Sequence, residues 1–185
     1  MGALTDDMKR VVEEQRLGFV ATVRPDGSPN LSPKGTLAVW DDDHLVFADI
    51  CSPATIANLA ANPAVEINVV DPLARKGYRF KGTARVFGEG SAYEAGLDFY
   101  RRRGSTSAKA HIVVVKVDWA AELVSPAYDS GQGEAAVTAK WRAYWEELWG
   151  RRDCAPYAYA ARSGLCRRMR QKRRVRCADS FGSSA

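Results

Sequence analysis

Arg24-Pro25-Asp26-Gly27-Ser28 constrains the fold of this chain more than any other segment. Pro25 fixes φ and Gly27 accepts a positive φ, so the five residues form a hairpin turn. The turn joins a strand over 17–23 to a second that runs to about Trp40. Asp41-Asp42-Asp43 turns the chain again, and residues 44–49 return it as a third strand. Residues 65–70 form a fourth strand, broken by Asp71-Pro72, and residues 77–87 a fifth. Along the fifth, Tyr78 and Phe80 share one face, Arg79 and Lys81 the other, and Gly82 marks a bulge or bend. Residues 112–117 are the last strand. A helix over 5–15 is capped by Thr5, with Asp6 and Asp7 at its positive end and Met8, Val11 and Val12 as its apolar stripe. Another spans 91–103, with Tyr93, Leu97 and Tyr100 on one side. Hairpin-linked strands, short helices and no βαβ rhythm predict a mainly β fold with flanking helices: an antiparallel barrel of about six strands.

The 185 residues, 46% of them hydrophobic, suffice for one core and not for two generous domains. No apolar run is long enough to span a membrane, and acids occupy the N-terminus where a secretory peptide needs an apolar stretch. A soluble cytoplasmic protein with no membrane contact is the expectation. The net charge of +5 is unevenly spread. Residues 151–185 hold ten Lys or Arg against two Asp or Glu, about +8, which leaves the body at 17 − 20 = −3. The expected division is therefore a domain over 1–150 and a basic, disordered tail over 151–185. Nucleic acid is a candidate partner only through the block 167–174. The abrupt compositional change reads more strongly as a segment foreign to the rest. Cys154, Cys166 and Cys177 lie in the tail at spacings that match no zinc pattern, and Cys51, alone in the body, reads as a small buried filler. No metal site is expected.

Two polar loops lie beside strands: Ser32-Pro33-Lys34-Gly35-Thr36 and Cys51-Ser52-Pro53-Ala54-Thr55. Ser52 and Pro53, followed by Ile56 and Leu59, read as the cap and first position of a helix, which Asn62-Pro63 ends. Such a helix offers free N–H groups to a phosphate. Lys34 comes from the preceding strand, Lys76 and Arg79 from a later one, and the three cations are expected to converge on that N-terminus.

In order and spacing, the segments GFVATVRPDGSPNLSPKGT, DDDHLVFADICSPATIANLAANPAVEINVVD and ARKGYRFKGTARVF resemble the pyridoxamine 5′-phosphate oxidase-like family of FMN-binding split β-barrels. The resemblance runs from Leu17 to Phe87 and, more loosely, to Trp145. It implies an antiparallel split barrel that binds FMN and forms a homodimer with two flavins at the subunit interface. By position it implies that Ser32, Lys34, Gly35, Thr36, Ser52 and Thr55 hold the flavin phosphate. Lys76, Gly77, Tyr78 and Arg79 fall where the family's next strand passes the flavin, and Tyr128 in the segment 125–129 approaches the partner's flavin. The family's Ser-Arg-Lys pattern is replaced by Ser52-Pro53-Ala54-Thr55, so a lysine contact is lost and the Thr55 hydroxyl must serve.

Each feature also has a plainer reading. Lys34 beside Gly35 is equally an exposed turn lysine, Arg79 and Lys81 a solvated strand face, and Ser52 a cap with no ligand. Trp141, Trp145 and Trp149 recur every four residues on a helix over 134–150 and suit core or dimer packing. His44 and His111 lie in separate strands and form no catalytic pair. Without a Ser-His-acid order, HExxH or P-loop, hydrolysis and phosphoryl transfer lack their parts, and no catalytic side chain is singled out. A flavin brings its own redox chemistry. The expected function is an FMN-dependent oxidoreductase acting on a small molecule, with NAD(P)H as a candidate donor. The alternatives are a non-catalytic flavin-binding or storage protein, or a related barrel using F420 or haem.

Overall fold

The structure, a computed structural model, describes residues 2–152. Its first element, α1 (Asp6–Gln15), starts where Thr5 accepts the Met8 N–H and ends at Arg16, which adopts the left-handed conformation. Its apolar stripe buries Val11 and Val12 against the sheet. β1 (Gly18–Val23) and β2 (Pro29–Lys34) form the hairpin, with Gly18 opposite Lys34 and Val23 opposite Pro29. The strand expected to reach Trp40 stops at Lys34; a separate two-residue strand, β3 (Ala38–Val39), pairs instead with β4 (His44–Asp49). α2 (Pro53–Ala61), β5 (Ala64–Asp71), β6 (Lys76–Phe87), α3 (Gly90–Arg102) and β7 (His111–Val124) follow. A 3-10 turn at Pro126–Tyr128 leads into α4 (Glu134–Arg152). The expected basic tail lies outside the described residues, apart from its first two positions at the end of α4.

The seven strands, one more than the sequence suggested, form a single antiparallel sheet in the order β2-β1-β5-β6-β7-β4-β3. β2 and β3 are therefore its opposite edges, yet residues 35–37 alone connect them. Four Cα steps of 3.80 Å reach at most about 15 Å, so the sheet must curl until its edges meet. This closes the split barrel. The interior is packed by Val12, Val20, Leu45, Phe47, Ile67, Val69, Phe80, Val113 and Val115. α3 covers the other side of β4 and β7 through Tyr100, Ala48 and Ile112. The expected irregularity at Gly82 is a register shift between Lys81 and Gly82 against β7. β7 runs seven residues past the predicted Val117, because it continues along β6 beyond the register shift, where Asp118 is the extra, unpaired residue.

Candidate functional site

The segment that closes the barrel also carries the predicted anion site. Lys34 ends β2, and its inward position in the β1–β2 pairing leaves it only 4% exposed. It is not the exposed turn lysine of the plainer reading. Its ammonium donates to Ser32 Oγ at 2.9 Å and to Ser52 Oγ at 2.5 Å, and lies 5.8 Å from the Phe47 ring centre. Both acceptors are neutral, and a lysine ammonium has three donors. Burial pushes the Lys34 pKa down, and the nearby Asp49 charge opposes that shift. Thr36 fixes the same loop, its hydroxyl donating to Ala48 O and accepting the Ala48 N–H, each at 3.0 Å.

Ser52 is the N-cap of α2 and Pro53 its first residue, as the sequence implied, but the hydroxyl does not cap the helix. Its Oγ is turned to Lys34, and its N–H donates to Asp49 Oδ1 at 2.6 Å. The first turn of α2 thus has no side-chain acceptor. Pro53 has no N–H and the Thr55 N–H donates to Ser52 O at 3.0 Å, which leaves the Ala54 N–H and the positive end of the dipole to attract an oxyanion. Thr55, 2% exposed, lies within that turn. Asp49 is 3% exposed, and its second oxygen lies 3.1 Å from His111 Nδ1. The β4–β7 register sets this contact, placing Asp49 opposite His111 and His44 at the far end of the strand opposite Lys116. Neither Asp49 nor His111 was identified from the sequence as part of the site, since only long-range strand pairing joins them. Cys51, expected to be buried, is exposed in the same loop.

The three cations do not converge within one chain. β1 and β5 separate β2 from β6, which places Lys34 and the β6 residues about 14 Å apart along the sheet. Lys76 pairs with Glu134 Oε2 at 2.9 Å and sits 4.7 Å from the Tyr128 ring centre. The Tyr128 hydroxyl donates to Ala74 O at 2.6 Å. Tyr78 donates to Asp7 Oδ2 at 2.5 Å, and that bond pushes its pKa up to about 12 while lowering that of Asp7. Arg79 Nε lies 3.1 Å from Glu66 Oε1 without hydrogen-bond alignment. Gly77 has a structural reason to be glycine, because a Cβ there would overlap Val69 O across the β5–β6 pair. Lys76, Tyr78, Asp7, Arg10 and Glu134 line a separate polar cavity of about 340 Å³. Among the described residues, no group of His, Cys, Asp and Glu is placed to hold a metal ion.

A seven-stranded antiparallel sheet curled into a half-barrel has the architecture of the FMN-binding split barrels. The chain belongs to the pyridoxamine 5′-phosphate oxidase family, whose sequence model matches residues 4–124, from just before α1 to the end of β7. The structure of HupZ from Group A Streptococcus is similar, with 33% identity and a TM-score of 0.60 over 66% of this chain and 95% of that one. An FMN-binding protein from Syntrophomonas wolfei shares the fold at 16% identity, with a TM-score of 0.55 over 64% of this chain and 84% of that one. The uncharacterized protein MJ0282 of Methanocaldococcus jannaschii is 30% identical over 89 residues, 47% of this chain; the match spans 58% of that curated relative's length. No helix among the described residues is long and apolar enough to cross a membrane.

Proposed function

We propose that this protein binds FMN through the Lys34–Ser52 site and works as a flavin-dependent oxidoreductase on a small molecule, with NAD(P)H as electron donor. The observation that carries the reading is Lys34 itself: a 4% exposed ammonium with two neutral acceptors, at a helix N-terminus whose cap hydroxyl is turned aside. Burial of this cation costs more than the nearby Asp49 charge offsets, and an oxyanion beside it lowers that cost. The donor set suits a phosphate monoester: the Lys34 ammonium, the Ser32 and Ser52 hydroxyls, and the Ala54 N–H at the start of α2. When bound, FMN supplies hydride chemistry that the side chains alone do not. The chain's own part is to hold the phosphate, keep Lys34 charged and shelter one side of the ligand with the barrel seam.

The second half of the proposal is a homodimer. The outward face of β1 and β2 presents Phe19 at 43% exposure, Val23 and Leu31, and the β6–β7 pair adds Trp119. Within that face lie Asn68 Oδ1, shielded from water without a hydrogen-bond partner, and Arg79 Nε, shielded likewise and ion-paired with Glu66 without an aligned hydrogen bond. An unsatisfied polar atom beside an exposed apolar strip favours a surface completed by a second copy. The functional test is anaerobic mixing of FMN-loaded protein with NADPH or NADH. Bleaching of the flavin's visible absorption, reversed by a small-molecule acceptor, is the expected result. Stable binding with no bleaching by either donor would favour a flavin-storage role.

A further inference from the structure

A buried carboxylate within a phosphate site is the anomaly that calls for explanation. Asp49 is 3% exposed, and by charge alone it opposes the binding of any anion beside Lys34. Its two oxygens, however, are both engaged: Oδ1 accepts the Ser52 N–H at 2.6 Å, and Oδ2 meets His111 Nδ1 at 3.1 Å. Held by its backbone, Ser52 takes φ −138° and ψ 59°, and its Oγ turns to Lys34 at 2.5 Å instead of capping α2. The Thr36 hydroxyl bridges to Ala48, the residue before Asp49, so both loops of the site are anchored on the same end of β4. His111 begins β7 and braces the carboxylate from the neighbouring strand.

We infer that Asp49 is a positioning residue for phosphate recognition: it holds Ser52 with its hydroxyl on Lys34 and the first turn of α2 uncapped, and His111 holds Asp49. The inference rests on the reading of the Lys34–Ser52 site as a phosphate site. The favourable pull of the Asp49 charge on the buried Lys34 proton supports the same arrangement. The consequence runs against simple electrostatics. Truncating the Asp49 side chain, which takes a negative charge out of an anion site, should weaken the binding of the anion, because the acceptor that holds Ser52 goes with it.

The experiment is calorimetric titration of the full-length protein with FMN and with riboflavin, which lacks the phosphate. Asp49→Ala is expected to lose FMN affinity by about tenfold or more, the loss of one hydrogen bond to a charged group, while riboflavin changes by less than about threefold. Asp49→Asn still offers an amide oxygen to the Ser52 N–H and is expected to keep FMN affinity within about threefold of the wild type. Ser52→Ala, which removes the hydroxyl that Asp49 is inferred to position, should reproduce the FMN-specific loss, and the near-isosteric Asp49→Asn decides the matter if Asp49→Ala does not fold. Tighter FMN binding in either Asp49 variant, or equal losses of FMN and riboflavin in Asp49→Ala, would overturn the inference. So would an unchanged preference for FMN in Ser52→Ala. Lys34→Ala, measured in parallel, separates the two readings. If it erases the preference for FMN while Asp49→Ala does not, this inference alone fails; if it leaves the preference intact, the phosphate site itself is wrong.

Discussion

Lys34 carries its charge into a place where Ser32 and Ser52 hydroxyls replace water and Phe47 forms one wall. Its lowered pKa has a definite sign in stability. Below that folded-state pKa both folded and unfolded chains are protonated, and the desolvation cost is fully present. As pH rises from there toward the ordinary 10.5 the folded state sheds its proton first and stability increases. Lys34→Met is therefore expected to raise the stability of the ligand-free protein at neutral pH by about 1 kcal/mol, read as a higher denaturation midpoint, and to flatten that alkaline rise. At Gly77 the constraint is backbone rather than charge. Gly77→Ala forces a methyl into Val69 O and should cost about 1–3 kcal/mol by chemical denaturation, with the FMN-to-riboflavin affinity ratio unchanged.

Among the elements, α1 docks on the barrel through a polar contact as well as through Val11 and Val12. The Tyr78 hydroxyl donates to Asp7, so the folded state holds the phenolic proton from pH 10.0 up to about 12. Stability contributed by this bond is fully present below pH 10.0 and is lost as pH rises toward 12. Tyr78→Phe should remove that part of the alkaline loss, measured as the slope of midpoint against pH. At the other end of the scale, Thr5→Ala should cost about 1 kcal/mol, since the Thr5 hydroxyl caps the helix at Met8 N. Most of these elements were legible. Thr5 acts through a local side-chain cap, Pro25 to Gly27, Pro53 and Gly82 through local backbone preference, and each marks the feature it predicted. The split between β2 and β3 was half legible: Ser32 to Thr36 read as a polar loop, but the end of β2 and the pairing of β3 with β4 depend on contacts along the sheet edges. The Asp49–His111 contact was hidden for the same reason: 62 residues separate the pair, and the register of β4 on β7 joins them. Lys76 and Arg79 were assigned by position along the chain, whereas their partners Glu134 and Glu66 depend on tertiary placement.

For the whole molecule, the curled sheet brings its two edges together at one seam, where the proposed phosphate site lies. Residues 35–37 join the two sheet edges, and the site's polar groups lie at either end of that junction. The exposed strip of Phe19, Leu31 and Trp119 on the outer face predicts a dimer. Sedimentation at micromolar protein should give twice the chain mass, and Phe19→Lys with Leu31→Lys should shift it to the monomer. α4 leaves Trp149 58% exposed while Arg75 stacks on Trp141 at 3.9 Å, so its aromatic stripe is only partly covered by its own chain.

The most direct test of the account is the affinity of purified protein for FMN against riboflavin, in the wild type and in Lys34→Ala. The account predicts tighter binding of FMN than of riboflavin by the wild type. It also predicts that Lys34→Ala weakens FMN by about 1.5–3 kcal/mol with little change for riboflavin. Equal losses for the two ligands, or no FMN binding by the wild type, would contradict it.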